Sequence, residues 1–396
     1  MFVGRRILIV GGGLAGSRTC EALRAEGFDG EIEMLCSEGT PPYDRPPLSK
    51  VALTERRDTT FDVDYDALGV DLRLGVRATG MDRDRRVVFT DSGEHPYDAL
   101  VVATGAAPVI LPGSGRQHVL RTAADADVLR AALRPGTRLT LVGAGWINAE
   151  IATTAHDLGC SVTVLESAPA PLHQPLGPDV AHRMLPWWEH VDMRCGVSVA
   201  EVTEAGPVLA DGSLVESDLV VTGIGVRPDV AWLVGSGLDI DRGVVVDERL
   251  RTADPAVFAV GDVAARWSPR YRSRIVGQHW DDARTAPATI AAALLRPDRG
   301  LVFDPVPYFW SDQFGHKIQF VGHRDPSDRI VFREGGDGRW AAAWIDDSSR
   351  LTAHLSVDSP RHMVQARMAI DRGAVVDPDA IGDLDAPVHT MSLHSS

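Results

Sequence analysis

Three glycines near the amino terminus have the types and spacing to do chemistry. Gly11, Gly13 and Gly16 stand in the G-x-G-x-x-G pattern of a turn that cradles a pyrophosphate. The first permits a tight turn, the second lets the backbone approach the phosphates, and the third lets a helix pack closely on a strand. Free N–H groups and the positive end of the helix dipole attract the anion. Glu38 follows where an acidic side chain accepts hydrogen bonds from a ribose. The alternative is a purely structural glycine turn. The pattern then recurs: Gly143 and Gly145 precede Glu166, but Asn148 stands at the third glycine's position. A repeat of this unit implies two bound dinucleotides, or a duplicated fold with one site lost. Asparagine there is expected to push the helix outward or to need local rearrangement. A carboxylate at Glu166 suits the 2′-hydroxyl of NADH and repels the 2′-phosphate of NADPH.

Particular elements must hold these residues. Ile7 to Val10 is a short apolar run that reads as a buried parallel strand. A helix is predicted from Leu14 to about Glu26 and a second strand over Ile32 to Leu35. Residues Arg138 to Glu166 repeat strand, turn, helix and strand. Further strands are predicted at Val87 to Phe89, Asp98 to Ala103, Leu219 to Pro228 and Val257 to Val260. Four prolines between Pro41 and Lys50 exclude a helix or central strand. They predict a stiff, extended loop carrying Tyr43, Asp44, Arg45 and Lys50. An alanine-rich helix is predicted from Asp282 to Leu295. After it, alternation around Ile318, Phe320 and Val321 predicts a small antiparallel sheet with a helix or two. The tail beyond Asp377 is predicted to be weakly ordered.

At 396 residues the chain should hold two or three domains. Its composition, 44% apolar and 24% charged, is that of a soluble globular protein. No apolar stretch reaches the ~18 residues of a membrane span. The amino terminus enters a strand without an apolar signal region, so a cytoplasmic protein is expected. A net charge of −15 argues against broad nucleic-acid binding but leaves room for a local basic patch. Cys20, Cys36, Cys160 and Cys195 form no close pair, which argues against a redox dithiol, a zinc site and a chain-held iron–sulfur cluster. Electrons, if they move here, must move through a bound cofactor.

GGGLAG, Glu38 and YDRPPLSK, in that order, closely resemble the flavoprotein ferredoxin reductases of bacterial oxygenase systems. These belong to the two-dinucleotide-fold superfamily that includes glutathione reductase. The likeness continues through ATGAAP (103–108), the second glycine turn, Gly261–Asp262, Gln278–His279–Trp280 and FWSDQ (309–313). It implies an α/β protein with two Rossmann-like dinucleotide-binding domains, glutathione reductase-like, plus a C-terminal α+β domain. Residues 1–112 and 247–304 would bind FAD, residues 113–246 would bind NAD(P)H, and 305–396 would form the last domain. The implied FAD contacts are Gly11, Gly13, Leu14, Ala15, Gly16, Glu38, Arg45, Lys50, Ala103, Thr104, Gly105, Gly261, Asp262, His279, Trp280 and Trp310, with Gly261–Asp262 opening a helix. Gly143, Gly145, Ile147, Glu166 and Gly225 would contact NADH. Lys50 and Glu150 would pair and tune the flavin edge as the catalytic groups.

The implied reaction passes a hydride from NADH to the flavin N5 and then single electrons to an iron–sulfur ferredoxin that serves an oxygenase. Arg266, Arg270, Arg272 and Arg274 are a candidate docking patch for that acidic partner, or a solvated loop. The protein would be a monomer or homodimer. Three departures stand out: Asn148, the stretch SAPAPLHQPLGPD (167–179) without a basic residue, followed by a helix carrying an unusual PWWEH, and Gln278 in place of a family Glu. They leave open a diverged FAD enzyme acting on a small organic molecule. A FAD-containing, redox-dependent binding protein with little turnover is a third reading.

Overall fold

The computed structural model describes residues 5–335, 339–385 and 388. The strands that position the site are, in chain order, β1 (Arg6–Val10), β2 (Glu31–Cys36), β3 (Val70–Leu74), β4 (Ala99–Val102), β5 (Arg138–Val142), β6 (Ser161–Glu166), β7 (Asp192–Cys195), β8 (Leu219–Thr222) and β9 (Val257–Ala259). Five more follow: β10 (Tyr308–Gln313), β11 (His316–Gly322), β12 (Arg329–Glu334), β13 (Trp340–Ile345) and β14 (Leu351–Val357). The helices used below are α1 (Leu14–Ala25), α2 (Trp146–Asp157), α3 (Trp280–Thr285), α4 (Pro287–Leu295) and α5 (Pro360–Asp371). The chain divides into two compact units, Met1–Asp44 with Thr59–Ala107 and Arg227–Pro307, and Arg45–Asp58 with Pro108–Val226 and Tyr308–Ser396.

The first unit is built on a five-stranded sheet in the order β9-β4-β1-β2-β3, all parallel. Ile7, Leu8, Ile9, Leu100 and Val101 are fully buried, which is why these strands read as unbroken apolar runs. The helix predicted from residue 282 to 295 is two helices, because Pro287 supplies no N–H and starts a helix rather than continuing one. Gly261–Asp262 opens no helix. It forms a three-residue 3-10 turn, and Ala264–Ser268 then pairs in parallel with Val244–Val246, so the sheet ladder wins. The proline-rich loop is extended at its start, where Tyr43 bridges Thr60.

In the second unit, the later half of that loop turns as a 3-10 segment, Pro46–Ser49, and a helical turn, Val51–Thr54. A four-stranded parallel sheet runs β7-β6-β5-β8. The same unit holds an antiparallel sheet, β10-β11-β14-β13-β12, with α5 packed on β14 and β11. Ile318, Phe320, Trp344 and Leu355 of that sheet cluster with Leu172, Leu176, Val180 and Met184. PWWEH is part of this packing: Trp187 stacks on His316 at 4.3 Å and the buried Trp188 meets Phe314 edge-on at 4.9 Å. The tail is more structured than predicted. Ile381, Leu384 and Val388 are fully buried, and residues 386, 387 and 389–396 lie outside those described. Among the described residues no helix is long and apolar enough to cross a membrane.

Candidate functional site

In the first unit β2 flanks β1 on one side and β4 on the other, so the strand order reverses beside β1. Open α/β sheets bind ligands at such a point, beyond the carboxyl ends of the strands. Gly11 sits there with φ +123°, and an added Cβ would collide with the Ala103 carbonyl. A Cβ on Gly16 would collide with the Gly11 carbonyl. The chain's own packing therefore demands both glycines. Gly13 differs: an added Cβ would meet nothing within 4 Å. It is the N-cap of α1, with no side chain capping the helix and no acidic residue in its first turn. The amides of Leu14, Ala15 and Gly16 thus form a positive helix end that no carboxylate of the helix offsets, a donor set suited to a diphosphate.

Other expected contacts gather at the same end. A Cβ on Gly261 would lie 3.1 Å from the Ala15 Cβ, which places the Gly261–Asp262 turn against the start of α1. His279 is the N-cap of α3, and burial lowers its imidazole pKa against the pull of Asp282 and Asp262. Trp280 Nε1 donates to Asp44 Oδ1 at 2.7 Å. Glu38 lies just past β2, where the Tyr43 hydroxyl donates to its Oε2 at 2.6 Å. Ala103 N–H donates to the Val10 carbonyl at 2.8 Å, and the Thr104 hydroxyl donates to the Asp229 carbonyl at 2.7 Å. Gly105 takes φ +73° and accepts from Asp229 N–H at 2.9 Å. These residues fit a dinucleotide such as FAD: a reversal of strand order beside β1, an uncapped helix start and a glycine with open space above it. All four cysteines are free, and burial pushes the Cys36 thiol up to about 12.

In the second unit Gly143 N–H donates to the Leu165 carbonyl at 2.7 Å, as Gly11 N–H donates to that of Leu35 at 2.8 Å. Gly145 caps α2, again with no capping side chain and no acidic first-turn residue. Glu166 accepts from Ala144 N–H at 2.6 Å and Ala168 N–H at 2.8 Å, so its carboxylate braces the turn. Ile147 is exposed beside the turn, as is Ile224, whose Cγ2 would lie 3.3 Å from a Cβ on Gly143. Sequence reasoning passed over Ile224; its signal is an apolar residue between two glycines at a strand end. Gly225 takes φ +111° and accepts from Val109 N–H at 3.0 Å. Asn148 leaves the opening hydrogen bond of the helix in place. α2 starts directly after Gly145, and Ala149 N–H reaches the Gly145 carbonyl at 3.0 Å, matching Ser17 N–H to Gly13.

The same unit holds the expected Lys50–Glu150 pair, Nζ to Oε2 at 2.8 Å. Glu150 is only 4% exposed, so it needs donors in place of water. The Ser49 hydroxyl donates to Oε2. The Ser311 hydroxyl and the Asp312 N–H donate to Oε1 at 2.6 and 3.2 Å. Neither serine stood out in the sequence. Ser311 was findable from strand alternation, which sets it opposite Trp310 on β10. Trp310 stacks beside Tyr308 with centroids 5.9 Å apart, and Arg45 donates to the Arg121 carbonyl.

The arginine cluster is not one surface patch. Arg266 is 4% exposed, 3.5 Å from both Asp282 and Asp304, with its guanidinium over the Phe303 ring. A charge-dense sequence hides this, because burial is set by the carboxylates that fold around it. Arg272 is exposed, while Arg270 and Arg274 are half-buried.

Two parallel sheets, each with a glycine turn opening an uncapped helix, define a protein built to bind two dinucleotides. A family model described as pyridine nucleotide-disulphide oxidoreductase matches residues 5–293, and one described as reductase C-terminal matches 308–392. The chain belongs to the pyridine nucleotide-disulphide oxidoreductase family, whose fold implies FAD and NAD(H). It is 36% identical over 399 residues to the anthranilate 1,2-dioxygenase system ferredoxin–NAD(+) reductase component of Burkholderia cepacia, covering 95% of this chain and 96% of the relative. It is 30% identical to putidaredoxin reductase of Pseudomonas putida, covering 96% and 95%. Among solved structures, that of Fdr9 has a TM-score of 0.95 at 60% identity, covering 97% of this chain and 99% of that one. The covalent putidaredoxin reductase–putidaredoxin complex has a TM-score of 0.91 at 30% identity, covering 98% of each.

Proposed function

We propose that the chain is a FAD-dependent NADH:ferredoxin reductase serving an oxygenase. The observation that carries it is the first glycine turn, where Gly13 has open space and α1 an uncapped start. FAD, when bound, supplies the redox chemistry, taking an electron pair from a reduced nicotinamide and releasing electrons singly. Residues 1–112 and 247–304 hold it, residues 113–246 hold the nicotinamide nucleotide, and 305–396 form an α+β domain. The α1 amides take the diphosphate, while Glu38 takes a ribose. Lys50, partly exposed, pairs with the buried Glu150, and Ser49 and Ser311 hold its carboxylate in place. NADH is favoured over NADPH because Glu166 stands at the end of β6, and no Lys or Arg lies between it and Arg183. Arg183 itself is locked onto Glu334 by two bonds of 2.7 Å. The partner is an acidic iron–sulfur ferredoxin, for which Arg272 is the exposed member of the basic stretch. A cytoplasmic setting goes with this reading.

The diverged-enzyme alternative drew much of its motive from Asn148, and the Asn148 carboxamide is hydrogen-bonded within a turn whose helix still starts directly after Gly145. The deciding experiment is anaerobic titration of the purified protein with NADH and NADPH while following flavin absorbance. Bleaching by NADH, and cytochrome c reduction once ferredoxin is added, are expected. A colourless protein that takes up no FAD, or a flavin that NADH leaves oxidised, refutes the proposal.

A further inference from the structure

The two glycine turns solve one problem differently. In the second, Asn148 is 1% exposed and its Nδ2 donates to the carbonyls of Val142 at 2.9 Å and Gly143 at 2.8 Å. A turn that sends N–H groups outward sends carbonyls inward, where burial requires a donor; the Val142 carbonyl also accepts from Gly223 N–H at 2.8 Å, and the carboxamide is the donor given for that of Gly143. Two acceptors on the nitrogen side decide which way the amide faces. The buried Oδ1 accepts no hydrogen bond, so one unmade bond accompanies two made ones. Opposite stands Gly223, directly after β8. A Cβ there would lie 2.5 Å from Asn148 Cγ and Oδ1 and 2.6 Å from Nδ2, and these are its three nearest atoms. Gly223 is not among the glycines with positive φ. Its reason to be glycine is therefore the carboxamide it faces.

We propose that Asn148 is a positioning residue for the nicotinamide nucleotide, and that Asn148 and Gly223 form one coupled unit replacing the third glycine of the fingerprint. The inference rests on the reading that the second turn binds NADH. The carboxamide acts through the turn: it fixes the Val142 and Gly143 carbonyls and with them the direction of the first amides of α2. Affinity for the nucleotide depends on this clamp; turnover of the bound nucleotide does not.

The test uses flavin-loaded wild type, Asn148→Ala, Gly223→Ala and the double variant. Steady-state kinetics with NADH and melting without nicotinamide nucleotide are measured on each. Asn148→Ala is expected to raise the KM for NADH about tenfold while kcat changes by less than about twofold. Gly223→Ala is expected to melt lower, because its methyl overlaps the carboxamide. The double variant should melt higher than Gly223→Ala, since removing the carboxamide frees that space, but keep the raised KM. Three results overturn the proposal: an unchanged KM in Asn148→Ala, a double variant no more stable than Gly223→Ala, or a double variant with wild-type KM. Wild type that does not saturate with NADH refutes the functional reading, and this inference with it. Saturating wild type beside an unaffected Asn148→Ala refutes this inference alone.

Discussion

Gly13→Ala separates the two reasons a glycine can be required in the first turn. Nothing in the chain lies within 4 Å of the added methyl, and φ is −91°, open to any residue. Alanine is a poorer N-cap than glycine by roughly 0.5–1 kcal/mol. It also restricts the unfolded chain, a gain of about 0.4–1 kcal/mol. The two nearly offset, so protein stripped of flavin should melt within about 3 °C of wild type. A methyl where the backbone meets the diphosphate costs about 1–3 kcal/mol of overpacking, or roughly 5- to 150-fold in FAD affinity. Gly16→Ala should do the opposite. Its Cβ would overlap the Gly11 carbonyl oxygen, and both atoms are held by backbone, so α1 must withdraw. An overpacking cost of about 3 kcal/mol lowers the melting temperature by roughly 6–12 °C even without flavin. Differential scanning fluorimetry of stripped protein and quenching of added FAD measure the two effects. The reasoning is refuted if Gly13→Ala binds FAD like wild type, or if it melts as low as Gly16→Ala.

Ser311→Ala removes a charge-assisted bond to buried Glu150 and should cost about 1.5–3 kcal/mol by urea denaturation. An unshifted midpoint would show that the hydroxyl does not support the carboxylate. Lys50→Ala should slow flavin bleaching by NADH in stopped flow, and an unchanged rate removes its role. Arg266→Ala should destabilise the first unit by about 3–5 kcal/mol, because it strands Asp282 and Asp304. Arg272→Ala should leave stability within about 0.5 kcal/mol but raise the KM for ferredoxin at low salt; the reverse pattern would place the docking surface elsewhere. Glu166→Gln should raise the NADPH-to-NADH ratio of kcat/KM roughly fivefold, the loss of about 1 kcal/mol of repulsion. A constant ratio would put discrimination in other residues. Burial lowers the folded pKa of His118, His279, His323, His354 and His362 below the ordinary 6.5. The unfolded chain then binds more protons below about pH 6.5, so melting temperature should fall as pH drops from 7 towards 5. Asp282, whose pKa burial raises, opposes this with the contrary sign. A flat profile would mean that the histidines are not protected.

What the sequence displays and what it hides follow from the range of the interactions concerned. Ile7 to Val10, the glycine spacings and Glu38 are legible because each feature is set by neighbours a few residues away. Pro287 was legible too; its break in the helix was outweighed by the alanine-rich run around it, although a proline's missing N–H decides more than propensity does. Arg266 reads as surface because charged residues usually are, and only Asp282 and Asp304 folding round it reverse that. Ser49 and Ser311 gain meaning from Glu150, to which no spacing rule ties them. Asn148 is the sharpest case. Judged within its own turn it breaks the fingerprint, and the broken rule points to a lost site. Judged with Gly223 it forms a hydrogen-bonded turn of a different kind, because the turn's inward carbonyls find donors and the facing loop has no side chain in the way. A motif states one solution to a packing and hydrogen-bonding problem. A departure from it counts as loss of function only after the residue opposite has been inspected, and that residue is chosen by the fold.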